Sequence, residues 1–256
     1  MHTLRSVAIR KVPEVTAAFW AAKLLTTAMG EATSDWLVAT INPYAAVGLG
    51  ALALVIALWI QFSARKYNAW IYWLAASMVA VFGTMAADSL HIQLGVPYIV
   101  SASLFAVSLA VIFIAWYKTE GTLSIHTVSA GRREVFYWLT VMATFALGTA
   151  TGDLTATTFH LGYLVSGLMF IGLILLPAIG YWLFGLSEIA AFWIAYVITR
   201  PLGASFADWM SKAHSVGGLG WGDGKVALLF LAGLLCVVSY MSLSRREVRD
   251  ETSIPR

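Results

Sequence analysis

The chain has a single cysteine, Cys236, so an intrachain disulfide framework and a cysteine metal site are both excluded. It lies in an apolar run and reads as a packing residue. Charge is nearly as scarce: Asp, Glu, Lys and Arg make up 11% of the sequence, where a soluble domain carries about a quarter. With 60% hydrophobic residues and a mean hydropathy of +0.79, a water-soluble globule is excluded. Catalytic signatures are missing too: no His-Glu-x-x-His pair, no nucleophile elbow and no Gly-Lys-Ser/Thr phosphate loop occur. The Gly-rich stretch 217–224, which contains Asp223, lacks that ending and reads as a flexible turn. Neither an enzyme nor a bound cofactor is expected.

What is present is a series of long apolar segments. A membrane-crossing helix needs about 20 mostly apolar residues. Residues 44–62, 97–117, 161–185 and 226–243 qualify with no charge at all. Residues 15–37, 70–90, 135–157 and 189–210 are apolar but carry Gly, Thr and charge. The reading is all-α, with eight transmembrane helices. Arg5, Arg10, Lys11, Arg65, Lys66, Lys118, Arg132, Arg133, Arg245, Arg246, Arg249 and Arg256 fall on one side of such a layout, and only Lys212 and Lys225 on the other. That bias predicts both termini in the cytoplasm. It also accounts for the pI near 9.0 without nucleic acid as a partner; the lipid bilayer is the partner composition demands. Glu14 and Lys23 interrupt the first apolar stretch, which is therefore read as a retained helix and not as a signal peptide.

A repeated frame organises these segments. An aromatic-Trp pair is followed by Gly ten residues after the Trp and by Asp five residues after the Gly. The copies are Phe19-Trp20, Gly30, Asp35; Tyr72-Trp73, Gly83, Asp88; Tyr137-Trp138, Gly148, Asp153; and Phe192-Trp193, Gly203, Asp208. The repeats run over 12–64, 65–118, 132–185 and 186–243. Residues 118–133 form the one candidate linker, and 244–256 form a charged cytoplasmic tail read as unordered. Two spans per repeat make the copies parallel, in contrast to the inverted repeats of many transporters. Trp20, Trp73, Trp138 and Trp193 then read as anchors at the cytoplasmic interface. The Asp residues lie about 22 Å further along at helical rise. The Gly residues fall near mid-membrane, where helices approach closely.

Helical phase gathers the polar residues. Lys23, Thr27, Glu31, Ser34 and Asp35 share a face with Gly30; Ser77, Thr84, Asp88 and His91 share another, Thr149, Gly152 and Asp153 a third, and Arg200 and Asp208 a fourth. Such faces must meet protein or water, not lipid, so an inner set of odd-numbered helices flanked by apolar even-numbered ones is expected. Asp35, Asp88, Asp153, Asp208 and Glu31 face two bases, Lys23 and Arg200, which leaves surplus negative charge to be met by protons, water or a cation. These five acids are the candidate ion- or proton-binding residues, with Lys23 and Arg200 as counter-ions or gates; salt bridges to Glu31 are the plainer alternative. His91, three residues after Asp88, is a possible metal ligand with it, and His160 and His214 follow Asp153 and Asp208. Their unequal spacing favours ordinary loop histidines. Pro201, beside Arg200 and Gly203, marks a kink or hinge. Glu134 and Glu188 open odd-numbered spans, suit the helix dipole and are assigned no chemistry.

The frame resembles a family of bacterial inner-membrane proteins built of four tandem two-helix repeats with a characteristic tryptophan. The likeness extends from Lys11 to about Leu243 and is most typical in the stretches 11–14, 30–35 and 199–205. It implies the fold, the topology and a bacterial inner-membrane location, and carries no biochemical activity. The functional expectation from the residues is a small cation or metal-ion transporter, with proton coupling as a further option raised by the surplus acids. The alternative is a non-transporting binding or assembly protein whose repeated polar face is structural. An enzyme acting on lipid head groups is the weakest reading, lacking a nucleophile or a complete metal site.

Overall fold

The computed structural model describes residues 10–251, with side chains to Ser244. Among the described residues there are eight long α-helices and no strand. They are α1 Ala17–Thr40, α2 Pro43–Ser63, α3 Ala69–Ile92, α4 Tyr98–Glu120, α5 Arg132–Asp153, α6 Gly162–Phe184, α7 Glu188–Ser211 and α8 Asp223–Glu251. A π-helical turn, Leu154–Thr158, continues α5 past Asp153. Seven of these are long and apolar enough to cross a membrane. The exception is α1, which is as long as α3 and α7 at 24 residues but is interrupted by Lys23, Glu31 and Asp35.

Local chemistry sets the starts. The side chains of Thr16, Asn68 and Ser187 accept from the backbone N–H three residues on, of Phe19, Ile71 and Ala190. Asn42 does the same for Tyr44 and Ala45 ahead of Pro43 at the first helical position. Gly121 and Gly185, both left-handed, end α4 and α6.

The helices form two concentric layers. α1, α3, α5 and α7 close a ring in which each touches the next and α7 touches α1. Outside it, α2 packs on α3, α4 on α5, α6 on α7, and α8 returns to α1. Each repeat thus shields the first helix of the following repeat, and the last repeat shields the first. Half or more of the residues in the α3, α5 and α7 spans are buried, against less than a third in α2, α4, α6 and α8.

Lipid tails are as apolar as leucine, so close packing has to hold the ring together, and the glycines of the frame supply it. A Cβ on Gly30 would collide with Ala80, on Gly83 with the Phe145 Cβ at 3.0 Å, on Gly148 with Arg200, and on Gly203 with Thr27. Ala80, Phe145, Arg200 and Thr27 occupy the same place in their repeats, so one contact is made four times around the ring. Pro201 stays inside a continuous α7, its ring set against Gly148 and Gly152.

The tryptophans depart from the interface reading. Trp73, Trp138 and Trp193 are only 2%, 3% and 4% exposed. They join Phe19, Tyr72, Tyr137, Phe192 and Tyr196 in a continuous aromatic layer with centroid spacings of 5.1–6.4 Å. The reason is positional: these residues sit on inner helices, whose ends meet the outer layer instead of lipid. Trp20, half-buried, lines a separate apolar cavity between α1, α6 and α7. Linker residues Ile125 and Val128 are buried beneath the layer, and Leu123 O accepts from Trp193 Nε1 at 2.9 Å, so this stretch is part of the packing. Residues 244–251 of the expected unordered tail are helical, because α8 runs on to Glu251 through residues that favour helix. Residues 1–9, with Arg5, and 252–256, with Arg256, lie outside the described residues.

Candidate functional site

On every inner helix the residues facing the bundle axis recur at intervals of four. α1 supplies Phe19, Lys23, Thr27, Glu31 and Asp35; α3 supplies Tyr72, Ala76, Ala80, Thr84 and Asp88. α5 contributes Tyr137, Val141, Phe145, Thr149 and Asp153, and α7 contributes Phe192, Tyr196, Arg200, Ala204 and Asp208. Four residues rise about 6 Å, so the ring stacks five levels, aromatic at one end and acidic at the other.

The acidic end opens into a cavity of about 480 Å³. Glu31, Asp35, Asp88, Asp153 and Asp208 all line it, together with Lys212, Asp223, Tyr98 and Tyr163. The five acids named from helical phase therefore meet in one place, drawn from all four repeats. Carboxylate oxygens of Glu31, Asp35 and Asp208 lie within 4.8 Å of one another.

Arg200 forms the floor. It is fully buried; its Nη2 donates to Glu31 Oε2 at 2.6 Å, to Thr149 Oγ1 at 2.8 Å and to Thr84 Oγ1, and Nη1 donates to Thr27 O at 3.4 Å. One side chain from the fourth repeat thus ties together the first, second and third. Guanidinium suits this task because it presents several donors in a fixed plane and keeps its charge.

Lys212 is the second cation, although the sequence alone places it in an outer loop. It ion-pairs with Asp35, with Asp223 at 3.0 Å and with Asp208 at 3.8 Å. Burial disfavours its charge, but Asp35, Asp208 and Asp223 outweigh burial and hold the ammonium above the usual lysine range. The Gly-rich stretch makes this possible and is not a loose turn. Gly217, Gly220 and Gly222 adopt left-handed conformations, and the chain folds back so that the N–H groups of Leu219, Trp221, Gly222 and Gly220 donate to carbonyls of Trp209, Met210, Ser211 and Lys212. Those are the carbonyls a helix end leaves open. The fold-back brings Asp223 to the cavity. Lys212 follows Asp208 by four residues, which was the available sequence signal.

Two sequence assignments change. His91 turns away from Asp88: its Nδ1 lies 2.8 Å from Val96 O and its ring stacks on Tyr98 at 3.6 Å. The carboxylate trio, not a His91–Asp88 pair, is the group of convergent ligand atoms among the described residues. Lys23 is no counter-ion to the acids, because Arg200 has taken Glu31. Its Nζ is buried without a hydrogen-bond acceptor among the described residues and sits 3.9 Å above the Phe145 ring and 4.1 Å from that of Tyr196, a cation–π setting.

Sequence reasoning also missed the other end. Glu134 is buried and takes 2.6 Å and 3.0 Å bonds from Lys11 Nζ and Gln61 Nε2, while Lys11 Nζ also reaches Phe62 O at 3.1 Å. Nothing in the spacing of Lys11 and Glu134, 123 residues apart, announces the pair. Glu188 stays exposed, 3.5 Å from His126.

The charge balance of the cavity follows. Six carboxylates, Glu31, Asp35, Asp88, Asp153, Asp208 and Asp223, meet two cations, Arg200 and Lys212. The carboxylates of Asp88 and Asp153 have no hydrogen-bonded or ion-pair partner among the described residues. The arrangement can hold protons or a small cation, and the surplus acids are those left free to do so.

No curated protein and no solved structure matches this chain. The family model described as Repeat of Unknown Function (DUF347) matches it four times in tandem, at residues 18–67, 71–122, 136–186 and 191–247; each match pairs one helix of the inner ring with the outer helix that follows it, and the chain belongs to that family.

Proposed function

We propose that this protein is a multi-pass transporter of a small cation or of protons in a bacterial inner membrane, with both termini cytoplasmic and the acid cavity open to the opposite side. Eight spans are required, α1 crossing as an inner helix shielded by α8. The observation that carries the reading is the convergence of acids from all four repeats on one cavity that holds fewer cations than carboxylates. Charges left inside a bilayer are costly, and proteins that keep them use them along ion and proton pathways.

The test uses purified protein in detergent. A panel of Na⁺, K⁺, Mg²⁺, Mn²⁺, Zn²⁺ and acid is scored by thermal stabilisation, since a ligand favouring the native state raises its apparent stability. At least one member should stabilise the wild type and lose its effect when Asp35, Asp88, Asp153 and Asp208 are all changed to Asn. Equal responses from the two proteins would overturn the proposal.

A second reading draws on Arg200. Its Nη1 and Nη2 donate to all three other repeats, as expected of a group that fastens the ring, and this favours a binding or assembly protein without transport. In that case the Asp→Asn changes lower abundance and stability with no cation- or proton-dependent phenotype.

A further inference from the structure

The seams between inner and outer helices are not filled alike. Beside α7, the outer helix α4 places Phe113 and Trp116 against Trp193, at centroid spacings of 5.2 Å and 5.9 Å. These residues lie 40 and 43 positions after Trp73, the frame tryptophan of their repeat. Counted in the same way from Trp138, α6 brings Ala178 and Tyr181 to the corresponding seam beside Trp20. A methyl group stands where α4 has a phenyl ring, and Tyr181 is 48% exposed where Trp116 is buried. Trp73, Trp138 and Trp193 are all buried, and Trp20 is the frame tryptophan left half-buried. The space beside it measures about 740 Å³, within the range of about 300–1,000 Å³ that small-molecule pockets occupy.

The lining of this space is aromatic and carries a single charge. Trp20 and Phe192, 5.7 Å apart, line it from the inner helices, and Tyr181 and Trp182 line it from α6. Glu188 and His126 stand at one end and Thr199 at the other, about 16 Å further along α7. Arg10 Nη2 lies 3.1 Å from His126 Nδ1. Arginine can only donate, so Nδ1 carries no proton and the imidazole is neutral. Glu188, 3.5 Å from Nε2 of that ring, is therefore left as the one charged group in the lining. Aromatic faces are electron-rich as well and attract cations.

We propose that this cavity binds a lipophilic organic cation drawn from the bilayer, with its apolar body between the rings and its charge toward Glu188. The site is separate from the acid cavity and does not depend on the transport reading. An anion is refused by the same carboxylate and ring faces. A phospholipid is a poor match, because its phosphate lies between head group and chains and would meet a lining that offers it no cation. A bare metal or alkali ion is refused too, since apolar walls cannot replace its hydration.

The full chain in detergent is dialysed to equilibrium against radiolabelled tetraphenylphosphonium, with uptake by empty micelles subtracted. Binding should saturate at a single site. Labelled tetraphenylborate, of similar shape and opposite charge, is dialysed separately and should bind at least about tenfold more weakly. Ala178→Phe restores the ring that α4 supplies and should weaken binding of the cation at least about tenfold by filling the space. Glu188→Gln, at an exposed carboxylate, should weaken it about threefold at low salt. Both variants should keep the wild-type gel-filtration profile and melting temperature. Absence of saturable uptake, or uptake that neither variant changes, overturns the site. Tetraphenylborate binding as tightly as the cation overturns the charge assignment. Displacement of the probe by phosphatidylethanolamine as readily as by unlabelled probe overturns the ligand class and assigns the space to lipid.

Discussion

The two ends of the inner ring are made by one repeat frame and behave oppositely. At one end Phe19, Tyr72, Tyr137 and Phe192 converge and close the bundle, with the Phe19 and Phe192 rings 6.0 Å apart and those of Tyr72 and Tyr137 6.3 Å apart. At the other end Asp35, Asp88, Asp153 and Asp208 converge and leave a cavity of about 480 Å³. Copies of an aromatic side chain attract one another through edge and face contacts; copies of a carboxylate repel. Repetition therefore completes one end and leaves the other in need of something. The cations that answer this need, Arg200 and Lys212, each occur in a single repeat, as do the acids Glu31 and Asp223 that pair with them. Departure from the repeat, more than the repeat itself, marks where the chemistry is concentrated.

The largest break in this contrast is removal of the floor. Arg200→Met strands Glu31 inside the bundle, and breaking a buried pair from one side costs about 3–5 kcal/mol. Thermal unfolding in detergent should show a loss of that size, and adding Glu31→Leu should restore most of it. A wild-type midpoint for the single variant would contradict the central role of Arg200. Lys11→Met is the corresponding change at the aromatic end. It should cost less, because Glu134 keeps its 3.0 Å bond from Gln61.

Much of this architecture was legible from side-chain periodicity alone. The helical class, the tandem repeats and the facing of Glu31 and the four aspartates follow from apolar runs and a fixed frame, properties that depend only on local geometry. The shared place of the glycines follows as well, since a ring of parallel repeats meets itself at equivalent positions. What was not legible depends on which element lies outside which. Trp73 and Trp138 look like interface anchors until α2 and α4 are known to cover the helices that carry them. Lys212 and Asp223 look like loop residues until the Gly-rich stretch folds back along the end of α7. The Lys11–Glu134 pair joins positions that only closure of the ring brings together.

The glycines sharpen the comparison between layers. Gly203→Ala sets a methyl against Thr27, and Gly148→Ala sets one against Arg200. Overpacking of this kind typically costs about 1–3 kcal/mol. Gly48 and Gly172 lie on outer helices, where an added methyl would have no neighbour within 4 Å, and Ala there should be neutral or stabilising by up to about 1 kcal/mol. A calorimetric or fluorescence melt of the four variants separates the layers, and equal losses for all four would refute the ring contact.

Within the acid cavity the partnered and unpartnered carboxylates should respond with opposite signs. Asp35→Asn removes one of the three partners of Lys212 and should lower stability, while Asp153→Asn removes a surplus charge and should raise it, each by about 1 kcal/mol. A shared direction would mean that the cavity is neutralised in some way other than through Arg200 and Lys212.

The smallest effect concerns Lys212 and pH. Its folded value lies above the ordinary lysine range because Asp35, Asp208 and Asp223 outweigh burial. A group raised in this way contributes its full stability below its unfolded value and loses it only as pH climbs through the folded one. The gap in melting temperature between wild type and Lys212→Met should therefore stay constant from about pH 7 to about pH 9 and narrow only in strong alkali. A gap that shrinks within the neutral range would show that Lys212 gives up its proton there, and the cavity would then contain a second exchangeable base instead of a fixed counter-charge.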